Sequence, residues 1–142
     1  MADARVSALR ASPTRLLTVA TGVAAIPFLV LAVVAVAQGS ASLLAVVALS
    51  IASAALAFWP IKVRPNLEIS PADVTVLAAI IFVPPASPIV GAIARLVRGV
   101  VFGRPPVRIA RDVAAISVSA GAAAVVFQIT HDVLAAGFPG AS

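Results

Sequence analysis

Apolar residues along this chain fall in long blocks, and the charged residues gather between the blocks. The first block, "LLTVATGVAAIPFLVLAVVAVA" at 16–37, can cross a hydrocarbon core of about 30 Å at about 1.5 Å of helix per residue. Pro27 inside it removes the hydrogen bond to the Val23 carbonyl and predicts a kink. Ala35–Ala37 has the small-x-small look of a signal-peptide cleavage site. The apolar stretch exceeds the roughly 7–15 residues of such signals, so a retained span is expected. "QGSAS" at 38–42 reads as a turn. A second span is expected over 43–59, ending on Trp59 as an interfacial aromatic and stopped by Pro60. A third, "VAAISVSAGAAAVVFQIT" at 113–130, sits in a helix expected over 112–136. There Ser117 and Gly121, and Ala120 and Ala124, put small residues at i, i+4 spacing and permit close helix approach.

The remaining block, 72–102, is interrupted by Pro84, Pro85 and Pro88 and carries Arg95 and Arg98 near its end. "SPAD" at 70–73 reads as a helix start, with Ser70 as N-cap, Pro71 first and Asp73 opposing the dipole. One arrangement lets 72–94 cross the membrane once, merely kinked at the prolines. It divides the ten basic residues evenly between the two sides. The other forms a short helix over 72–83, stops at Pro84–Pro85, and starts a returning helix over 87–102 capped at Ser87–Pro88. All ten basic residues then share one side, with Arg95 and Arg98 snorkelling to the interface. Positive charge marks cytoplasmic loops, so the hairpin is the expectation. Its tip, "PPASP", needs burial among the other helices, because irregular backbone at membrane depth requires protein around it.

The expected fold is all-α: three spanning helices plus a proline-broken re-entrant hairpin. Residues 1–15 form a basic cytoplasmic N-terminal segment, 16–136 the membrane domain and 137–142 a C-terminal tail on the outside. Four plain spans with both termini cytoplasmic are the alternative.

Composition strengthens the membrane reading. The chain is 62% hydrophobic and 11% charged, with mean hydropathy +1.15, where soluble domains carry about 25% charged residues. Nine arginines and one lysine against five acids give +5. Because they flank apolar blocks, they point to orientation and anionic lipid head groups rather than to nucleic acid. The absence of cysteine excludes disulfides and thiolate metal sites, and one histidine leaves no multi-histidine site. There is no nucleophile–base pair, phosphate loop or metal-ligand spacing, so neither catalysis nor a cofactor is expected.

The run "LEISPADVTVLAAIIFVPPASPIVGAIARLVRGVVFGRPPVRIARDVAAISVSAGAAAVVFQ", 67–128, resembles the N-terminal membrane region of bacterial cyclic-di-GMP signalling enzymes. That region has a Ser/Asp-containing start, a short apolar helix, a Gly-Pro or Pro-Pro break, a helix ending in basic residues, and a last segment opening near Asn or Asp. Here Val83 stands where the family has Gly before the break, and Asp112 where Asn is common. The resemblance implies a sensor module of the bacterial inner membrane for a GGDEF or HD-GYP output domain, with this chain expected to be the membrane part alone: a fragment, a degenerate copy or a stand-alone module. A more distant likeness, to the substrate-binding subunits of energy-coupling-factor transporters, implies a small-solute-binding subunit. A holin-like structural or pore-forming protein is the third reading. The partners expected are the lipid bilayer, a second copy of the chain, or a separate signalling or transport subunit.

Candidate residues follow from these readings. Pro27, Pro84, Pro85 and Pro88 are hinge positions, and Arg95, Arg98, Arg104, Arg108 and Arg111 set topology and meet head groups. Asp73, Asp112, Gln128, His131 and Asp132 are candidates for ligand or pH sensing. Asp112 opens the expected last helix, where dipole compensation worth about 0.3–1 kcal/mol is the plainer role. An ion pair with Arg95 or Arg98 across the hairpin is the functional one. Gln128 and Thr130 can bind a ligand or satisfy neighbouring helices. His131–Asp132 is a polar helix end or a proton sensor.

Overall fold

The computed structural model describes residues 13–59, 61–65 and 67–137. Arg5 and Arg10 of the basic segment, Pro60 and the tail from 138 onward lie outside the described residues. Among those described there are five α-helices: α1 (Pro13–Ala37), α2 (Leu43–Leu56), α3 (Ala72–Phe82), α4 (Ser87–Val101) and α5 (Pro106–Gly137). A 3₁₀ turn, Pro84–Ala86, joins α3 to α4. An antiparallel ribbon of β1 (Ile61–Arg64) and β2 (Leu67–Ile69) joins α2 to α3, pairing Ile61 with Ile69 and Lys62 with Glu68.

Local chemistry explains the helix ends. α1 stops where Gly39 takes φ +72°, and Ser40 N–H then donates to the Ala35 carbonyl at 3.0 Å and Gly39 N–H to Val36 at 3.2 Å. This is the paired-bond stop that a left-handed residue makes possible. α4 ends the same way at Gly103, with Arg104 N–H on the Gly99 carbonyl at 2.9 Å and Gly103 N–H on Val100 at 3.1 Å. Ser42 caps α2 through its hydroxyl, which accepts from Ala45 N–H.

Contacts between the helices fix their directions. Along α4 and α5, Ser87 meets Ala120, Gly91 faces Ile116 and Gly99 faces Ile109, so the two run antiparallel. Asp73 at the start of α3 bonds Arg95 two turns into α4, which makes α3 and α4 a hairpin closed by the proline turn. The start of α2 packs on the hairpin tip (Val46 with Val83 and Ala86), and its end packs on the hairpin base (Ala57 with Ala72 and Ala94). Thr18 shares a cavity with Arg108 and Arg111, Gly121 abuts Phe28, and Gln38 shares a groove with Gln128, so α1 and α5 run parallel. The bundle therefore has a tip end, holding the α1–α2 turn and the prolines, and an arginine end.

Packing is inverted relative to a water-soluble bundle. The buried apolar residues are mostly alanine, and the largest fully buried side chains are Val90, Ser53, Ser87 and Ser117. Leucine, isoleucine, valine and phenylalanine point outward along α1, α2 and α5, with Leu17, Val23, Leu31, Leu44, Ile51 and Ile129 all more than half exposed. Gly121 lies so close to the Phe28 ring that any β-carbon there would collide with it.

Two helices, α1 and α5, are long and apolar enough to cross a membrane. The span expected over 43–59 forms a helix of only 14 residues, about 21 Å long. Beyond Leu56, tightened turns take over: Phe58 N–H donates to Ala55 at 3.4 Å and Trp59 N–H to Leu56 at 3.1 Å. A proline next in sequence disfavours helical backbone at Trp59. α5 begins at Pro106 rather than at 112, because a proline fits the first position of a helix as readily as it breaks an interior. The architecture is helical as expected, and the short β1–β2 ribbon between α2 and α3 is an addition to it.

Candidate functional site

The hairpin tip is the most enclosed irregular backbone among the described residues. Val83 leaves α3 at φ −139° and ψ 60°, outside the helical region, and Ala86 N–H closes the 3₁₀ turn on the Val83 carbonyl at 2.9 Å. No residue of this turn needs positive φ, which is why Val83 serves here without a glycine. Val83, Ala86, Ser87 and Pro88 are buried, and Pro84 and Pro85 are half-buried. The turn touches α1, α3, α4 and α5, so the expected burial of the tip among other helices is observed. Ser87 does not act as the N-cap expected of it. It sits inside α4 and donates its hydroxyl to the Pro84 carbonyl at 2.9 Å, with the Ala120 carbonyl of α5 at 3.4 Å. Ser70 likewise makes no side-chain cap; its carbonyl accepts Asp73 N–H at 2.9 Å.

Pro84, Pro85 and Pro88 form one wall of a groove of about 300 Å³. Phe28 and Leu31 of α1 and Gly121 of α5 form the other, and Gln38, Ser40 and Gln128 supply the polar groups at its outer end. Gln128 thus faces the α1–α2 turn across this groove. Pro27 lies on the exposed side of α1, which continues as helix on both sides of it.

At the opposite end, Arg95 donates from Nη2 to Asp73 Oδ1 at 2.9 Å, tying α4 to α3. Arg104 donates from Nη1 to Asp112 Oδ2 at 3.1 Å, tying the α4–α5 turn to α5. The functional reading of Asp112, an ion pair with Arg95 or Arg98, gives way to a pair with Arg104. Its expected place at the helix N-terminus is replaced by one well inside α5, which starts six residues earlier than expected. Arg98 does not snorkel outward. It is only 7% exposed, because it lies on the inward stripe Val90–Ala94–Arg98 of α4. Arg95, Arg98 and Arg104 line a cavity of about 450 Å³ whose α5 wall is Asp112, Ala115, Ile116 and Ser119. Arg108 and Arg111 are exposed beside Thr18 and Pro105.

His131 and Asp132 sit 3.6 Å apart on the exposed last turns of α5, away from both the groove and the cavity. Thr130 donates to the Val126 carbonyl of its own helix at 2.8 Å. Among the described residues, no group of three or more His, Cys, Asp or Glu side chains is arranged to hold a metal ion. Sequence reading singled out every arginine of the cavity but missed Ser119 and the Arg104–Asp112 pair. Both depend on the register of α4 against α5, which no local pattern encodes. No family model, curated protein or solved structure matches this chain.

Proposed function

We propose that this chain is a polytopic membrane module, a sensor or anchor of the bacterial inner membrane. In this reading its arginine end faces the cytoplasm, and α3–α4 form a re-entrant hairpin. The observation that carries it is the inverted packing: large apolar side chains outward, alanine and serine inward, with Arg95, Arg98, Arg104, Arg108 and Arg111 gathered at one end. Water-soluble monomers rarely expose contiguous apolar patches beyond a few hundred Å². Membrane helices, by contrast, associate through small residues that let backbones approach. α3 and the tip reach about 16 Å into a core of about 30 Å, which fits a hairpin that enters without crossing.

Signal transfer follows from where the tip is held. A stimulus that displaces the proline turn also moves Ser87 against Ala120, and α4 and α5 carry that shift to the arginine end. α5 leads away from the cytoplasm, so a cyclic-di-GMP output domain is reached through the N-terminal segment, a further span or a separate chain. Fusing a diguanylate cyclase domain to the N-terminal side tests this. Replacing Pro84 and Pro85 with alanine is expected to change cyclase output by at least about fivefold, the lower range of allosteric coupling. Unchanged output from a stably inserted variant contradicts the sensor reading.

A small-solute-binding transport subunit is the second reading, supported by the groove between Phe28, the prolines and Gln128. It predicts a solute retained through mild extraction and lost on Gln128→Leu.

A further inference from the structure

The arginine cavity adjoins a second, apolar groove, and Arg95, Ile116 and Ser119 line both. The groove, about 380 Å³, runs between α3 and α5 from the Asp73–Arg95 pair along Val76, Leu77, Ile80, Ala120 and Ala123. A polar chamber with three guanidiniums and the Asp112 carboxylate thus adjoins an apolar groove that has the Asp73 carboxylate at its mouth. Neither half alone specifies a ligand; their adjacency does. A molecule filling both has a compact anionic head and an extended hydrocarbon tail.

We infer that this composite site holds one anionic phospholipid, its phosphate among Arg95, Arg98 and Arg104 and an acyl chain along α3 and α5. Arg95 and Arg104 each bond a carboxylate through one nitrogen, while a guanidinium carries five N–H donors in a fork that matches phosphate oxygens. Both are about one-third exposed and reachable from the cavity. The hydroxyl of Ser119 donates to the Ala115 carbonyl of its own helix at 2.9 Å and offers its lone pairs at the junction. Arg98, buried at the inner wall, adds charge where water is scarce and electrostatic attraction is strongest. The site rests on the membrane placement proposed above and ties the α3–α4 hairpin to the composition of the cytoplasmic leaflet.

The test uses the full chain extracted in a mild neutral detergent and incubated with phosphatidylglycerol or phosphatidylcholine, with bound lipid counted by native mass spectrometry. Phosphatidylglycerol is expected to be retained about tenfold over phosphatidylcholine, the worth of one charge-assisted contact. Arg104→Gln, at a half-buried position, is expected to erase most of that preference. Ala123→Trp fills the groove without touching an arginine and is expected to weaken phosphatidylglycerol retention. Millimolar inorganic phosphate is expected to leave it unchanged. Equal retention of the two lipids, or a preference indifferent to Arg104→Gln, overturns the site. Displacement by inorganic phosphate together with no effect of Ala123→Trp makes it a free-anion pocket and equally overturns the lipid. Membrane insertion, read by resistance to alkaline extraction, stands or falls independently of these outcomes.

Discussion

At the tip end of the bundle, Ala41, Val46, Val83, Ala86 and Val90 close the space with side chains no larger than valine, and no charged residue is among them. At the arginine end, Asp73–Arg95 and Arg104–Asp112 close it with groups that remain partly exposed. Close packing is sensitive to single methyl groups, whereas partly exposed ion pairs contribute little to stability. The contrast separates the two ends: close-packed small side chains hold the helices together at the tip, and half-exposed ion pairs link them at the base.

The strongest way to break that contrast is to overfill the interior. Gly121→Leu drives a side chain into the Phe28 ring and is expected to cost about 3 kcal/mol, read as a lowered unfolding temperature in detergent. Adding Phe28→Ala to the same chain should recover part of the loss. A Gly121→Leu protein as stable as the parent would remove the α1–α5 contact from this account. Val90→Ala, at the fully buried centre of the tip cluster, should cost about 2 kcal/mol through the cavity it leaves. Ser87→Ala deletes the bond to the Pro84 carbonyl, for about 1 kcal/mol. Asp73→Asn at the other end should cost under about 1 kcal/mol, with the loss shrinking as salt is added. If Asp73→Asn proves more damaging than Val90→Ala, the division of labour between the ends is reversed.

The sequence made the helices legible because each apolar block is long and its stops are chemically explicit. The turn at 38–42 lies where expected, with Gly39 supplying the left-handed residue that ends α1. The proline break was legible for the same reason: consecutive imino residues leave few ways for a helix to continue. The β1–β2 ribbon went unread although Ile61-Lys62-Val63-Arg64 and Leu67-Glu68-Ile69 alternate around Pro65–Asn66. Its short strands were masked by the proline and charge content that marks a loop. The start of α5 was misplaced because a Pro-Pro pair reads equally as a helix breaker and as a first turn. The cavity was half legible. Its arginines were singled out by charge, but the burial of Arg98 and the partner of Asp112 follow from how α4 lies on α5. That arrangement is set by Gly91 and Gly99 receiving Ile116 and Ile109, a fit between residues distant in sequence.

The central claim is that α3 and α4 turn back at the prolines, so that the start of α5 lies on the cytoplasmic side. The native chain has no cysteine, which permits single-cysteine labelling with an impermeant maleimide in intact cells. Val107, exposed on the first turn of α5, is the informative position, with Lys62 and Asp132 as references on the two sides. The account predicts that Val107→Cys, like Lys62→Cys, is labelled only after permeabilisation, while Asp132→Cys is labelled in intact cells. Labelling of Val107→Cys from outside, with Lys62→Cys still protected, would mean that the proline segment crosses the membrane.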